Sequence, residues 1–237
     1  MKGLPNRTVL DLATDMARGP GLLMAFVVVA SVLLLRGSAG PGDGDAALKA
    51  LHVVVDQTSL IFVLVLTNRI VSGDRDSGYY RAYFAKPVDP VVFYLAKWIV
   101  GLLALLLFAL VMSVALGVIF RTVPFDAPML GQLAMQYGLG GGLILLLSTV
   151  IRQDGIVAAV VVAVQSILHG LTSQMGADLG LQWRVLHGIL PPFYLASPGQ
   201  PLPVRADLAH VLLYAAGLVV AACVVIRLRP MGSGGRS

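Results

Sequence analysis

With 237 residues, 57% of them hydrophobic and only 12% charged, the chain is too apolar for an ordinary soluble domain, which carries about 25% charge. The length accommodates about six membrane helices of ~20 residues with short connections, leaving no room for a separate soluble domain. A net charge of +5 then reports membrane topology, and nucleic-acid binding is not expected. The lone cysteine, Cys223, lies in an apolar run and implies neither a disulfide nor a metal site.

The first 19 residues are polar with spaced apolar positions. Thr8 and Asp11 have capping-box spacing, and Val9, Leu10, Ala13, Met16 and Ala17 share one helical face. This predicts an amphipathic helix over 1–19 lying on the membrane surface, ended by Gly19-Pro20. The first span is predicted at 21–35, slightly extended by its flanks. Gly37-Ser38-Ala39 also allows a cleaved signal peptide, against which the long polar lead argues. The stretch 37–49, rich in Gly and acid, reads as a flexible loop.

Further spans are predicted at 51–71, 93–120, 129–151, 155–171 and 208–226. A charged loop at 72–92 separates the second and third. The stretch 172–206 mixes apolar pieces with prolines and contains no clean 20-residue run, so short helices dipping back toward the membrane are expected there. Leu190-Pro191-Pro192 would mark the break between two of them, with an ordinary external loop as the alternative. Residues 230–237 read as a Gly/Ser-rich basic tail. With the N-terminus placed in the cytoplasm, twelve of the 17 Lys and Arg fall on inside segments, which puts both termini and the 72–92 loop inside.

The 72–92 loop carries the most specific pattern. Asp74-Arg75-Asp76, then Gly78, then Lys86-Pro87-Val88 and finally Lys97 resemble the corresponding loop of ABC-2 type transporter permeases. The outline of surface helix, six spans and a long external stretch before the last span is also similar to that family. The resemblance implies an all-α, polytopic membrane protein forming a single permease domain over 1–237, in the plasma (inner) membrane. It implies a cytoplasmic coupling helix that docks in a groove of a separate ATP-binding subunit, present in two copies. ATP and Mg would sit on that partner; no cofactor is expected in this chain, and the chain itself is not an enzyme. Six spans would form half of a membrane unit, so a second copy or a similar permease is implied, embedded in lipid.

The residue types suit docking. Asp74 or Ser77 can cap a short helix, and Gly78 keeps its first turn slim. Tyr79, Tyr80, Tyr83 and Phe84 cluster at helical spacing around Arg81, and aromatics with Arg dominate interface energies. Lys86 precedes Pro87, which stops the helix, and Pro90 stiffens the return to the membrane. Tyr79-Tyr80 departs from the small or aliphatic pair usual in the family; these rings suit either a partner-specific groove or the interfacial aromatic belt.

Polar residues within spans are costly and mark candidate function. Asp56, placed near the outer end of the second span, and Gln57 after it suggest a polar wall of a substrate path. The alternative is a hydrated Asp56, or one paired with His52 four residues earlier. Gln165 and His169 share an i, i+4 face, as do Gln132 and Gln136; each pair suits a cavity wall or a helix interface. Gly138-x-x-x-Gly142 permits close helix approach, and the glycine cluster also permits a hinge.

Rival chemistries find less support. Gly42-Asp43-Gly44-Asp45 fits a membrane-protease pattern in letters but lies in a predicted loop. The chain lacks a G-x-x-x-x-G-K-[ST] phosphate loop, so ATP chemistry would need a partner. An ATP-independent secondary transporter or channel remains the main alternative, although no internal repeat is visible.

Overall fold

The structure, a computed structural model, describes residues 20–35, 44–77, 89–175, 181–196, 203 and 205–228. The predicted surface helix at 1–19 and the tail at 230–237 lie outside these residues. Among the described residues every regular element is helical: α1 (Pro20–Leu35), α2 (Gly44–Thr67), α3 (Ser72–Ser77), α4 (Pro90–Phe120), α5 (Ala127–Val150), α6 (Asp154–Met175), α7 (Leu181–Ile189), a 3₁₀ turn (Phe193–Ala196) and α8 (Arg205–Leu228).

Five helical stretches are long and apolar enough to cross a membrane: Gly44–Asp76, Pro90–Phe120, Ala127–Val150, Asp154–Gln174 and Asp207–Leu228. The expected first span contributes α1, whose 16 residues rise about 24 Å, less than the ~30 Å of a hydrocarbon core. Its Met24, Val27 and Val28 pack against the core formed by α2, α4 and α5.

Helix α5 lies at the centre. In its most apolar window 78% of residues are buried, against 17–39% in the other four stretches. Glycine explains why this helix can be surrounded. Gly138 and Gly142 approach α8 at Ala215 and Leu218, Gly140 approaches Val63 of α2, and Gly141 meets Trp98 of α4. A side-chain carbon at 140 would come within 2.9 Å of Val63, so the backbone itself forms the contact surface. The expected close approach at Gly138 and Gly142 is therefore present, toward the last helix.

The outer helices turn apolar faces outward. On α4, Leu103, Leu107, Val111, Val114 and Val118 are exposed at steps of three and four residues, forming one continuous stripe. Ile156, Val160 and Ile167 do the same on α6, and Leu213, Val220 and Val224 on α8. Stripes this large are untenable in water and suit lipid.

Several boundaries differ from the sequence reading. The stretch 44–49, expected as loop, is the first turn and a half of α2, with Asp45 favourably placed at the positive end of the helix. Helix α2 ends at Thr67 rather than continuing to 71, because Arg69 adopts a left-handed conformation with φ of 56°. Helix α4 begins at Pro90, not Phe93. Asp89 caps it by accepting a hydrogen bond from the Val91 amide at 2.8 Å, and Pro90 occupies a first-turn position that lacks an N–H partner in any case. Helix α6 runs on to Met175. Pro191 and Pro192 lie between α7 and the 3₁₀ turn.

Candidate functional site

Two polar groupings stand out against the apolar background. The first is a cavity of about 290 Å³ among α2, α5, α6 and the 3₁₀ turn, lined by Asp56, Leu60, Gln136, Val162, Gln165, Ser166, His169, Phe193 and Tyr194. Four of the five residues singled out for a substrate path meet here: Asp56, Gln136, Gln165 and His169. Gln57 is absent from the lining. It follows Asp56 by one residue, a rotation of about 100°, which leaves it exposed on the other side of α2.

Starting α2 at Gly44 also moves Asp56. It lies twelve residues, about 18 Å, from the helix start, near the middle of α2 and not at its outer end. The alternative pairing with His52 is not formed. His52 Nε2 lies 2.9 Å from Asp126 Oδ2, an ion-pair contact to the residue preceding α5, without the alignment of a hydrogen bond. The α4–α5 connection, residues 121–126, thus brings to His52 an acid from outside its own helix.

On the opposite wall, Gln165 is 1% exposed and Gln136 is 8% exposed. Among the described residues neither amide atom of Gln165 has a hydrogen-bond partner, nor has the carbonyl oxygen of Gln136. Buried amides are normally satisfied, so these three atoms are open to a water or a ligand. Ser166 donates to the Val162 carbonyl at 2.9 Å and is engaged with its own helix. The His169 and Tyr194 rings stack at 4.1 Å with an interplanar angle of 10°. Burial first, and then the Asp207 carboxylate, push the Tyr194 phenol above its ordinary range, so it remains a neutral O–H.

Neither Phe193 nor Tyr194 was assigned to this grouping from sequence. They approach because Pro191 and Pro192 redirect the chain after α7, and the 3₁₀ turn then lies against α5 near Gly140, where a side-chain carbon would meet Phe193 at an ordinary contact distance of 3.7 Å. Spacing within one helix reveals pairs such as Gln165 and His169, but not which distant turn covers them.

The second grouping occupies the other end of the bundle, where α3 follows α2. Asp74, Arg75 and Asp76 lie within α3, whose last residue is Ser77. Asp74 accepts a 2.8 Å charge-assisted bond from Lys97 of α4. Asp76 is paired with Arg69 at 2.8 Å and lies 3.3 Å from Arg152 Nε. Arg75 reaches the Thr149 carbonyl at 3.5 Å. The Lys97 ammonium also lies 5.5 Å from the Phe93 ring centre and 5.9 Å from that of Tyr94, within cation–π range.

The turn beneath α3 is equally anchored. Asp154 is fully buried, and its Oδ2 accepts the Arg69 backbone N–H at 2.9 Å. The remaining docking candidates, Gly78, Tyr79, Tyr80, Arg81, Tyr83, Phe84, Lys86 and Pro87, lie outside the described residues.

Five helices of this length, with apolar stripes turned outward and polar groups gathered within and at one end, fit a multi-pass membrane protein. Compared with known proteins, the chain matches no family model and no curated protein. The resemblance to ABC-2 type permeases thus rests on the residues between Asp74 and Lys97 and on the outline of the helices.

Proposed function

We propose that this chain is the membrane-spanning permease subunit of an ABC-2 type transporter. The observation that carries the reading is the acid–basic–acid triplet on α3, tied by Lys97, Arg69 and Arg152 to neighbouring elements of the bundle. A partner pushing on this segment would move the span ends with it, as ATP-driven coupling requires. With no phosphate-binding loop in the sequence, ATP and Mg belong to two copies of a separate subunit.

In this reading the basic end faces the cytoplasm, α1 extended by its flanks completes six spans, and α7 with the 3₁₀ turn forms the external re-entrant region. Both termini are cytoplasmic, the chain resides in the plasma (inner) membrane, and a second copy or similar permease completes the path. Transport runs outward, and the substrate is amphipathic or lipophilic.

The test is co-purification with candidate ATPase subunits encoded beside this chain, comparing wild type with a Tyr79/Tyr80/Arg81→Ala variant. Association that the variant loses, while still inserting in the membrane, supports the reading. Lack of association in mild detergent overturns it. A second reading, an ATP-independent transporter or channel, is favoured by the pocket that gathers Asp56, Gln136, Gln165 and His169 within a single chain.

A further inference from the structure

We infer that the cavity between α2, α5, α6 and the 3₁₀ turn binds a small neutral ligand through a primary carboxamide group carried on a flat, apolar body. Such a ligand names a substrate class within the permease reading, and the part of the site in transport rests on that reading.

The unpaired atoms choose the group. Gln165 is 1% exposed and Gln136 is 8% exposed, and both line the cavity. Among the described residues, Gln165 Oε1, Gln165 Nε2 and Gln136 Oε1 are buried without a hydrogen-bond partner. These are two acceptors and one donor group, so their complement is two N–H groups and one carbonyl. A primary carboxamide carries that set on adjacent atoms. Its carbonyl accepts from Gln165 Nε2, its near N–H donates to Gln165 Oε1, and its second N–H is left for Gln136 Oε1. Glutamine makes the same two-bond contact to the donor–acceptor edge of adenine.

Other groups fail the same count. A carboxylate supplies acceptors alone, which leaves both glutamine carbonyls facing lone pairs; an ammonium supplies donors alone, which leaves Gln165 Nε2 unpaired. A charged ligand also needs a counter-charge to offset its desolvation, and neither amide provides one. A trans secondary amide, such as a peptide bond, points its N–H and C=O in opposite directions and cannot present the edge. Asp56, His169 and Tyr194 have interactions of their own within the protein, so the polar contacts are assigned to the two glutamines.

Size and the apolar lining choose the body. A volume of about 290 Å³ stands at the small end of the ~300–1,000 Å³ typical of ligand pockets, which suits a single ring and not a whole lipid. Leu60 and Val162 line the cavity together with the Phe193 ring, whose face suits a flat conjugated body. As the three polar atoms are buried, binding turns the glutamine side chains toward the cavity, a rotamer change of a kind common on association. Pairing them relieves the cost of burying unsatisfied amides, which favours the bound state.

The test uses the full chain in lipid nanodiscs, without any ATPase, and five probes built on one ring: benzamide, N-methylbenzamide, acetophenone, benzoate and benzylammonium. Binding is read as saturable thermal stabilisation and by saturation-transfer NMR. Benzamide is expected to bind roughly tenfold or more tightly than each of the others, because a site built to hydrogen-bond a group rejects analogues that lack it. Gln165→Leu should bring benzamide down to the level of acetophenone. Ile167→Ala, on the exposed face of the same helix, should leave the ranking unchanged and controls for partition into lipid. Equal binding of benzamide and acetophenone, equal binding of benzamide and N-methylbenzamide, preference for either charged probe, or saturable binding of none overturns the inference. So does a benzamide preference that survives Gln165→Leu. The wild-type series decides the matter even if Gln165→Leu does not fold. Benzamide binding in a chain that recruits no ATPase would keep this site and remove the ATP-driven reading; ATPase recruitment by a chain without that preference would do the opposite.

Discussion

The contact between Gly101 of α4 and Tyr137 of α5 offers a sharp test of the packing. Tyr137 is fully buried, and its hydroxyl donates to the Trp98 carbonyl at 2.7 Å. A side-chain carbon at 101 would lie 2.1 Å from that oxygen and 3.1 Å from the ring carbon bearing it. Gly101→Ala must therefore displace the tyrosine. Overpacking of this kind costs about 1–3 kcal/mol. Loss of the hydrogen bond adds about 0.6–1 kcal/mol, in keeping with values inside membranes. Alanine returns up to about 1 kcal/mol of helix propensity. The net expectation is a loss of about 2 kcal/mol. Tyr137→Phe alone removes the hydroxyl and should cost about 1 kcal/mol. In the phenylalanine background the 2.1 Å clash disappears, so adding Gly101→Ala should change stability by less than about 0.5 kcal/mol once propensity offsets the remaining tightness. Reversible unfolding in mixed micelles with increasing SDS reads all four corners of this cycle. A favourable coupling near 2 kcal/mol is expected. Additive single effects, or a neutral Gly101→Ala, would refute the close approach of α4 and α5 at this point.

Three further outcomes are expected. Gly142→Leu should destabilise by about 1–3 kcal/mol because α8 lies against that position at Leu218, whereas Gly170→Ala, facing open space, should be neutral or slightly stabilising in the same unfolding assay. Asp74→Ala and Lys97→Ala should each cost about 1–3 kcal/mol, while the swapped pair Asp74→Lys with Lys97→Asp should recover part of that loss; a double-mutant cycle with no coupling would dismiss the ion pair. In a Cys223→Ala background, an impermeant maleimide applied to intact cells should label Thr122→Cys and spare Gln153→Cys, and the opposite pattern would invert the proposed orientation.

Five of the six expected spans were legible as helices long and apolar enough to cross a membrane, because long apolar runs leave few alternatives in a chain this poor in charge. Their ends were less so. Asp45 and Lys49 made the start of α2 resemble a loop, yet an acid suits the positive end of a helix and Lys49 lies exposed one turn further on. The stop after Thr67 depends on Arg69 entering the left-handed region, a conformation supported by an acid 85 residues away in sequence. The cavity was half visible: i, i+4 spacing joined Gln165 to His169, and the cost of burying charge singled out Asp56. What spacing could not supply was Asp126 beside His52, or the aromatic turn that roofs the site. Both depend on how connections fold back over helix ends, and local periodicity carries no information about that.

Gly140 has a consequence beyond helix packing. Two walls of the cavity, α2 with Asp56 and α5 with Gln136, touch at Gly140, where a side-chain carbon would come within 2.9 Å of Val63. The separation of those walls thus depends on an atom that the sequence omits, at a residue outside the lining. A methyl-sized step at that single position would press α2 and α5 apart while leaving the chemistry of Asp56 and the two glutamines untouched.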